Sequence, residues 1–162
     1  MVSCVFPGSF DPVTRGHMDL ISRAARVFDH VTVSLMVNIH KKSAIDTETR
    51  AELLRKACAA YPNVTVDRWE GLLADYMRER NEKILIRGIR GGMELDSEMQ
   101  SAAASRMLNN GYEVLFLPCA PEYAGISSSA VREIAAFGGD IRAFVPETVT
   151  EEIRALLSNK KQ

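Results

Sequence analysis

The sequence predicts an α/β fold, a doubly wound, five-stranded and mostly parallel sheet with helices on both faces. Three observations carry that prediction. Short β-branched apolar runs alternate with longer stretches of helical period along the whole chain, and such alternation calls for right-handed crossovers between parallel strands. The loops richest in Gly, Ser and Arg each follow a strand, which is where sheets of this class bind ligands. At 162 residues, 46% hydrophobic and 25% charged, the chain has the length of one ordinary domain and enough apolar material for a core. No repeat, low-complexity tract or linker interrupts residues 1–162, so a single domain is expected.

Each element follows from a local pattern. Val2-Ser3-Cys4-Val5-Phe6 reads as a buried strand; a Gly/Pro turn then leads into a helix with Leu20, Ile21, Ala24 and Phe28 at helical spacing and Thr14 as N-cap. Val31 to Val37 is a central parallel strand, followed by the polar loop Asn38-Ile39-His40-Lys41-Lys42-Ser43. A second helix starts near Asp46 or Thr47, places Leu53, Leu54, Ala57, Cys58 and Tyr61 on one face, and stops before Pro62. A short third strand covers Val64 to Asp67, a third helix Leu72 to Arg80, and a fourth strand Lys83 to Ile86. The loop Arg87-Gly88-Ile89-Arg90-Gly91-Gly92 opens a fourth helix from Met93 to Leu108, which Asn109-Asn110-Gly111 ends. Glu113 to Leu117 makes the fifth strand, with Pro118 to Ile126 as its loop. Ser127-Ser128-Ser129 open a helix carrying Val131, Ile134 and Ala135, Gly138-Gly139 break it, and a last helix after Pro146 carries Val149, Ile153, Leu156 and Leu157.

Composition excludes several function classes. A net charge of −1 argues against a general nucleic-acid or membrane-surface binder, which depends on a basic excess, so neither partner is expected. Any anion site must be a local cluster. Cys4, Cys58 and Cys119 form no Cys-x-x-Cys pair and read as buried thiols of a reducing compartment. The start Met-Val-Ser-Cys has no basic leader, and no apolar run approaches the ~18 residues a membrane span needs. The cytoplasm is the expected location. His17, His30 and His40 lack ligand spacing, and no structural metal site is expected.

The stretch Phe6-Pro7-Gly8-Ser9-Phe10-Asp11-Pro12-Val13-Thr14-Arg15-Gly16-His17 carries the chemistry. A helix opening just after a strand aims unpaired N–H groups and a positive dipole end at the sheet's carboxyl edge, which suits an anion. Gly8 is expected to let backbone approach a ligand, and His17, one turn past Thr14, shares its helix face. Arg87 and Arg90 place two guanidinium forks beside glycines after another strand, and planar bidentate donors suit phosphate. Lys41 and Lys42 look like ordinary surface lysines until their place after the second strand is considered. Three N-cap-type hydroxyls, Ser127 to Ser129, stand beside free N–H groups; a plain serine cap explains one of them, not three.

Pro-Gly-Ser-Phe-Asp-Pro with Thr-x-Gly-His resembles the first signature of the nucleotidyltransferase superfamily, and within it the bacterial phosphopantetheine adenylyltransferase family; Ile126 to Arg132 is similar to the second signature. The resemblance runs from Phe6 to about Pro146. It implies a Rossmann-like sheet and transfer of the AMP part of ATP to 4′-phosphopantetheine, giving dephospho-coenzyme A and pyrophosphate. It assigns catalysis to His17, Lys41 and Arg90, and acceptor contacts to Ser9, Lys41, Leu73 and Arg87, with the pantetheine arm near Leu72 and Leu73. Nucleotide contacts fall to Ser9, Phe10, His17, Gly88, Ile89, Arg90 and Glu98, and to the run Tyr123, Ala124, Gly125, Ile126, Ser127, Ser128 and Ser129. The chain departs from the pattern at Ile39, Ser97 and Ser105. Mg2+ is expected to ride on the nucleotide phosphates, since the sequence offers no dense carboxylate cluster, and family habit implies a homohexamer that meets ATP, 4′-phosphopantetheine and dephospho-coenzyme A or coenzyme A. Two alternatives stay open: a nicotinate-mononucleotide adenylyltransferase or cytidylyltransferase, enzymes that tend to have His where this chain has Thr14, and a nucleotide-binding regulatory module without turnover.

Overall fold

The computed structural model describes residues 1–37 and 42–158. Its sheet has five strands, β1 (Ser3–Gly8), β2 (His30–Val37), β3 (Val64–Glu70), β4 (Ile84–Ile89) and β5 (Glu113–Pro118), in the order β3-β2-β1-β4-β5. Every pairing is parallel. The order runs outward from β1 in one direction to β3 and from β4 in the other to β5, so β1 and β4 flank the switch point of a doubly wound, Rossmann-like sheet.

Alternate strand residues face opposite layers. Cys4, Phe6, Val31, Val33, Leu35 and Ile86 pack with α1 (Arg15–Val27), α2 (Thr47–Cys58), α5 (Ser128–Ala136) and α6 (Thr150–Ser158). Val5 and Leu85, one residue out of step, pack with Tyr76 and Met77 of α3 (Leu73–Glu79) and with Tyr112. The remaining helix, α4 (Gly92–Leu108), lies over this second layer, where Ser105 and Tyr112 share a hydroxyl hydrogen bond. None of its residues is buried.

Three strands run two or more residues further at their carboxyl ends than the sequence suggests. β1 continues through Pro7 and Gly8, paired with Ser34 and Leu35, so these two residues belong to the strand and not to the turn. β3 extends to Glu70, opposite Val37. β4 takes in Arg87, Gly88 and Ile89, opposite Phe116, Leu117 and Pro118. The expected flexible arginine loop is therefore half strand. Gly88 shows why: a Cβ there would lie 2.2 Å from Leu20 Cδ1, so the absence of a side chain lets α1 sit close on β4. Gly8 has a packing reason of the same kind: its missing Cβ leaves room for the Phe10 ring, which such an atom would meet at 2.9 Å.

Candidate active site at the switch point

A cleft of about 420 Å³ opens beyond the carboxyl ends of β1 and β4. The residue after β1, Ser9, borders it; Phe10 then turns inward with φ +44°, a left-handed conformation that is costly for an aromatic residue. Burial of its ring holds that turn in place. Phe10 is 1% exposed, 6.1 Å from the Phe6 ring and edge-on to the His17 imidazole at 5.0 Å.

His17 is the third residue of α1, and its position is set by a capping box. Thr14 Oγ1 accepts the His17 N–H at 3.3 Å, and His17 Nδ1 accepts the Thr14 N–H at 3.0 Å. Because Nδ1 is an acceptor, the proton of the neutral ring resides on Nε2, which has no hydrogen-bond partner among the described residues and can donate into the cleft. Burial, and next the positive charge of Arg90, pull the imidazole pKa from 6.5 to about 4. At neutral pH the ring is an uncharged donor.

The arginines come to the cleft already oriented. Arg90 donates through Nε and Nη2 to the Glu94 carboxylate, the shortest contact 2.6 Å, and through Nη1 to the Ile126 carbonyl at 3.2 Å. Glu94 also accepts the Arg90 backbone N–H at 2.6 Å, and hydrogen bonding to Arg90 lowers its own pKa. Arg87, on β4, faces Glu98 across 3.4 Å. At the start of α5 the three serines divide the work. Ser127 is the N-cap and accepts the Ala130 N–H at 3.1 Å; Ser128 donates to the Pro12 carbonyl at 2.8 Å; Ser129 accepts from Arg132 Nη2 at 3.0 Å. With Ala130 capped, the backbone N–H groups of Ser128 and Ser129 point out of the first turn as anion donors.

Of the residues singled out from sequence, Ser9, His17, Arg87, Gly88, Arg90, Glu98, Tyr123, Ile126, Ser127, Ser128 and Ser129 line this one cleft. Lys41 lies outside the described residues; its neighbour Lys42 borders the cleft with Ser43. Phe10 and Ile89 do not line it, because their side chains are buried. Ala124 and Gly125 are exposed outside the lining. Leu73 packs instead against the cluster of Val5, Tyr76 and Leu85 behind the sheet, while Leu72 is exposed. Cys119, expected to be a buried thiol, is partly exposed on the cleft wall.

Asp11, Arg50, Glu94 and Arg132 also line the cleft, and the sequence assigned none of them a contact. Asp11 accepts the N–H groups of Ala44 and Ile45 at 2.8 and 2.9 Å and so ties the loop after β2 to the turn after β1. Arg132 donates to the Asp11 carbonyl. A signal for Arg50 was present in the sequence, since it falls in register with the apolar face Leu53, Leu54 and Ala57, an odd place for a cation. Among the described residues no group of three or more His, Cys, Asp or Glu is placed to hold a metal ion.

Residues 5–134 match the cytidylyltransferase-like family. A phosphopantetheine adenylyltransferase of Finegoldia magna is 44% identical over 96% of this chain and 96% of its own length. Proteins of that name from Clostridium perfringens and Pasteurella multocida are 42% and 43% identical, each over 96% of this chain and over 94% and 99% of their own lengths. A crystal structure from Vibrio parahaemolyticus, assigned as a nicotinate-nucleotide adenylyltransferase, superposes with a TM-score of 0.66 over 98% of this chain and 93% of that one, at 19% identity, and so shares the fold. With a switch-point cleft that gathers both signature stretches, and near full-length relatives at this level of identity, the chain belongs to the phosphopantetheine adenylyltransferase family of cytidylyltransferase-like proteins.

Proposed function

We propose that this chain transfers the AMP portion of ATP to the phosphate of 4′-phosphopantetheine, releasing pyrophosphate and giving dephospho-coenzyme A. The observation that carries the reading is the meeting, in one cleft, of a neutral histidine donor, oriented arginines and a helix start with open N–H groups.

An acceptor phosphate, with a second pKa near ~6, is largely dianionic at neutral pH and attacks the α-phosphorus without a protein base. The bond formed joins the acceptor's phosphate oxygen to that phosphorus; the bond broken is the one to the bridging oxygen of pyrophosphate, which departs with the electron pair. Negative charge grows on the α-phosphoryl oxygens and the leaving group, and the protein's task is placement and donors for that charge. His17 Nε2–H supplies one to the α-phosphoryl group and Arg90 another, its fork fixed by Glu94. The Ser128 and Ser129 amides receive the outer phosphates. The acceptor phosphate lies at the opposite end, against Ser9, Arg87 and Lys42, with Lys41 next in sequence.

Magnesium would travel on the ATP phosphates, where it offsets their charge. The cleft carboxylates fit that arrangement: Asp11 is held by two backbone N–H groups and Glu94 by Arg90, while Glu98 is charge-paired with Arg87 at 3.4 Å without a hydrogen bond to its buried Oε2 among the described residues. We place the reaction in the cytoplasm, in keeping with three unpaired thiols. Among the described residues no helix is long and apolar enough to cross a membrane. The working form is a homo-oligomer, a hexamer by family habit, and the exposed apolar side chains of α4 support that reading.

Pyrophosphate release tests the reaction. With ATP, the chain should turn over on 4′-phosphopantetheine and not on nicotinate mononucleotide, and CTP should not replace ATP. Turnover on the mononucleotide alone, or none on any acceptor, would reject the assignment.

A further inference from the structure

Four arginines line the cleft, and they differ in how their charge is balanced. Arg87 faces Glu98 at 3.4 Å, Arg90 faces Glu94 at 2.6 Å, and Arg132 lies 4.0 Å from the Asp11 carboxylate. Arg50 is the exception. It is 3% exposed, yet among the described residues it has no carboxylate within 4.0 Å. Its Nη1 donates to the Ser9 carbonyl at 2.6 Å and its Nη2 to Thr47 Oγ1 at 3.1 Å, both neutral acceptors. Its Nε is buried and, among the described residues, without a hydrogen-bond partner.

A guanidinium cannot shed its charge to escape a dry site. Taking such a cation out of water is unfavourable unless an opposite charge stands nearby. The chain accepts this cost in the first turn of α2, at a position whose helical neighbours are the core residues Leu53, Leu54 and Ala57. The missing counter-charge can come from the cleft that Arg50 borders. The side on which it lies decides which anion. Arg50 grips the Ser9 turn after β1 and follows the loop of Lys42 and Ser43 after β2. Among the described residues no hydrogen bond links Arg50 to Ser128 or Ser129 at the start of α5, where the outer phosphates of the nucleotide are placed above.

We infer that Arg50 is a positioning residue for the acceptor's phosphate: a buried positive charge, anchored between the Ser9 carbonyl and Thr47, that favours the dianion at the Ser9 end of the cleft. This rests on the reading of the acceptor given above. Arg50 acts through its field, without touching the reacting atoms. Because the group sits in a low-dielectric wall, its charge is felt over several ångströms with little screening.

The test compares 4′-phosphopantetheine with pantetheine, which lacks the phosphate, as ligands measured by calorimetry. The ratio of their affinities isolates what the phosphate contributes. Arg50→Gln removes the charge but keeps a donor for the Ser9 carbonyl; Arg50→Lys keeps the charge and gives up the fork. The expected result is a loss of preference for the phosphorylated ligand by roughly tenfold or more in Arg50→Gln, the scale of one charge interaction in a partly shielded site. Arg50→Lys should hold the wild-type ratio within about threefold, as expected when charge outweighs fork geometry. Pantetheine affinity and ATP affinity should stay near wild type in both variants. Thermal unfolding checks that each variant folds, and Arg50→Met is the second uncharged variant if Arg50→Gln does not. An unchanged ratio in the uncharged variant, or an equal fall in Arg50→Lys, overturns the inference, as does weaker binding of pantetheine and ATP alongside. A wild-type protein that did not distinguish the two ligands would instead reject the acceptor reading itself.

Discussion

His17 illustrates how one side chain acquires its role from backbone geometry. The capping box with Thr14 spends Nδ1 as an acceptor, so the remaining proton sits on Nε2 and faces the cleft. A donor of this kind acts on charge that grows only as the bond to pyrophosphate breaks, so it lowers the barrier more than it tightens ground-state binding. His17→Ala should lower kcat by roughly 10²–10³-fold, the scale of one lost oxyanion donor, while ATP affinity by calorimetry changes only modestly. A variant that turned over normally would remove this role. The acid limb of the rate profile should follow the acceptor phosphate near ~6, since His17 takes up a proton only near pH 4. The same depression links to stability. The folded-state value, about 4, lies below the ordinary 6.5, so the unfolded chain binds the proton first; the benefit of a neutral His17 is full above 6.5 and is lost as pH falls towards 4. The stability gap between wild type and His17→Gln, measured by denaturant unfolding, should therefore narrow from pH 7 to pH 4. A gap independent of pH would contradict the buried neutral ring.

At the scale of elements, the strand–turn–helix units do the positioning, and they differ in how openly the sequence displays them. The helix starts were legible because Thr14, Asp46 and Ser127 are side-chain caps followed by apolar periodicity, and each is the N-cap observed. The strand ends were not legible. Pro7-Gly8 and Gly88 look like turn punctuation, yet they are strand residues because Phe10 and Leu20 fill the space a side chain would take, a fact of packing across the sheet. The hydroxyl-bearing residues at helix starts could be seen from residue type, whereas Asp11 and Arg50 act through backbone partners more than thirty positions away. The start of α5 offers a separation of roles that experiment can resolve. Ser127→Ala removes the cap and should cost about 1 kcal/mol of stability in denaturant unfolding. The double change Ser128→Ala with Ser129→Ala leaves the cap in place and loosens Pro12 and Arg132 from the helix start. It should weaken ATP more than dephospho-coenzyme A, because the product lacks the outer phosphates. Equal weakening of both would detach these residues from that end of the nucleotide.

Across the whole molecule the two faces of the sheet are unequally covered. The layer of α1, α2, α5 and α6 encloses the larger core, and the layer of α3 and α4 encloses a cluster of Val5, Tyr76, Met77, Leu85 and Tyr112. None of the residues of α4 is buried, and apolar residues occur around it without forming one strong stripe. Met93 and Met107 are 91% and 89% exposed, and Met99, Leu108 and Leu115 of β5 are also exposed. Such apolar exposure on a helix that covers so little of its own chain favours association with further copies, which would remove these side chains from water. Closed assemblies of identical chains reuse one patch on every copy, so a charge placed there is repeated at each contact and meets its like or an apolar neighbour. Light scattering should give the native chain a mass that is a multiple of 18.0 kDa, and the pair Met107→Glu with Leu108→Glu should shift it to a smaller species. The cleft lies at the strand ends, where Glu94 and Glu98 near the start of α4 line it, while Met107 and Leu108 sit at the far end of α4. The dissociated variant should therefore still bind ATP, with an affinity reduced less than its assembly. A native chain that ran as a monomer, or a double variant of unchanged mass, would show that this face does not hold the copies together.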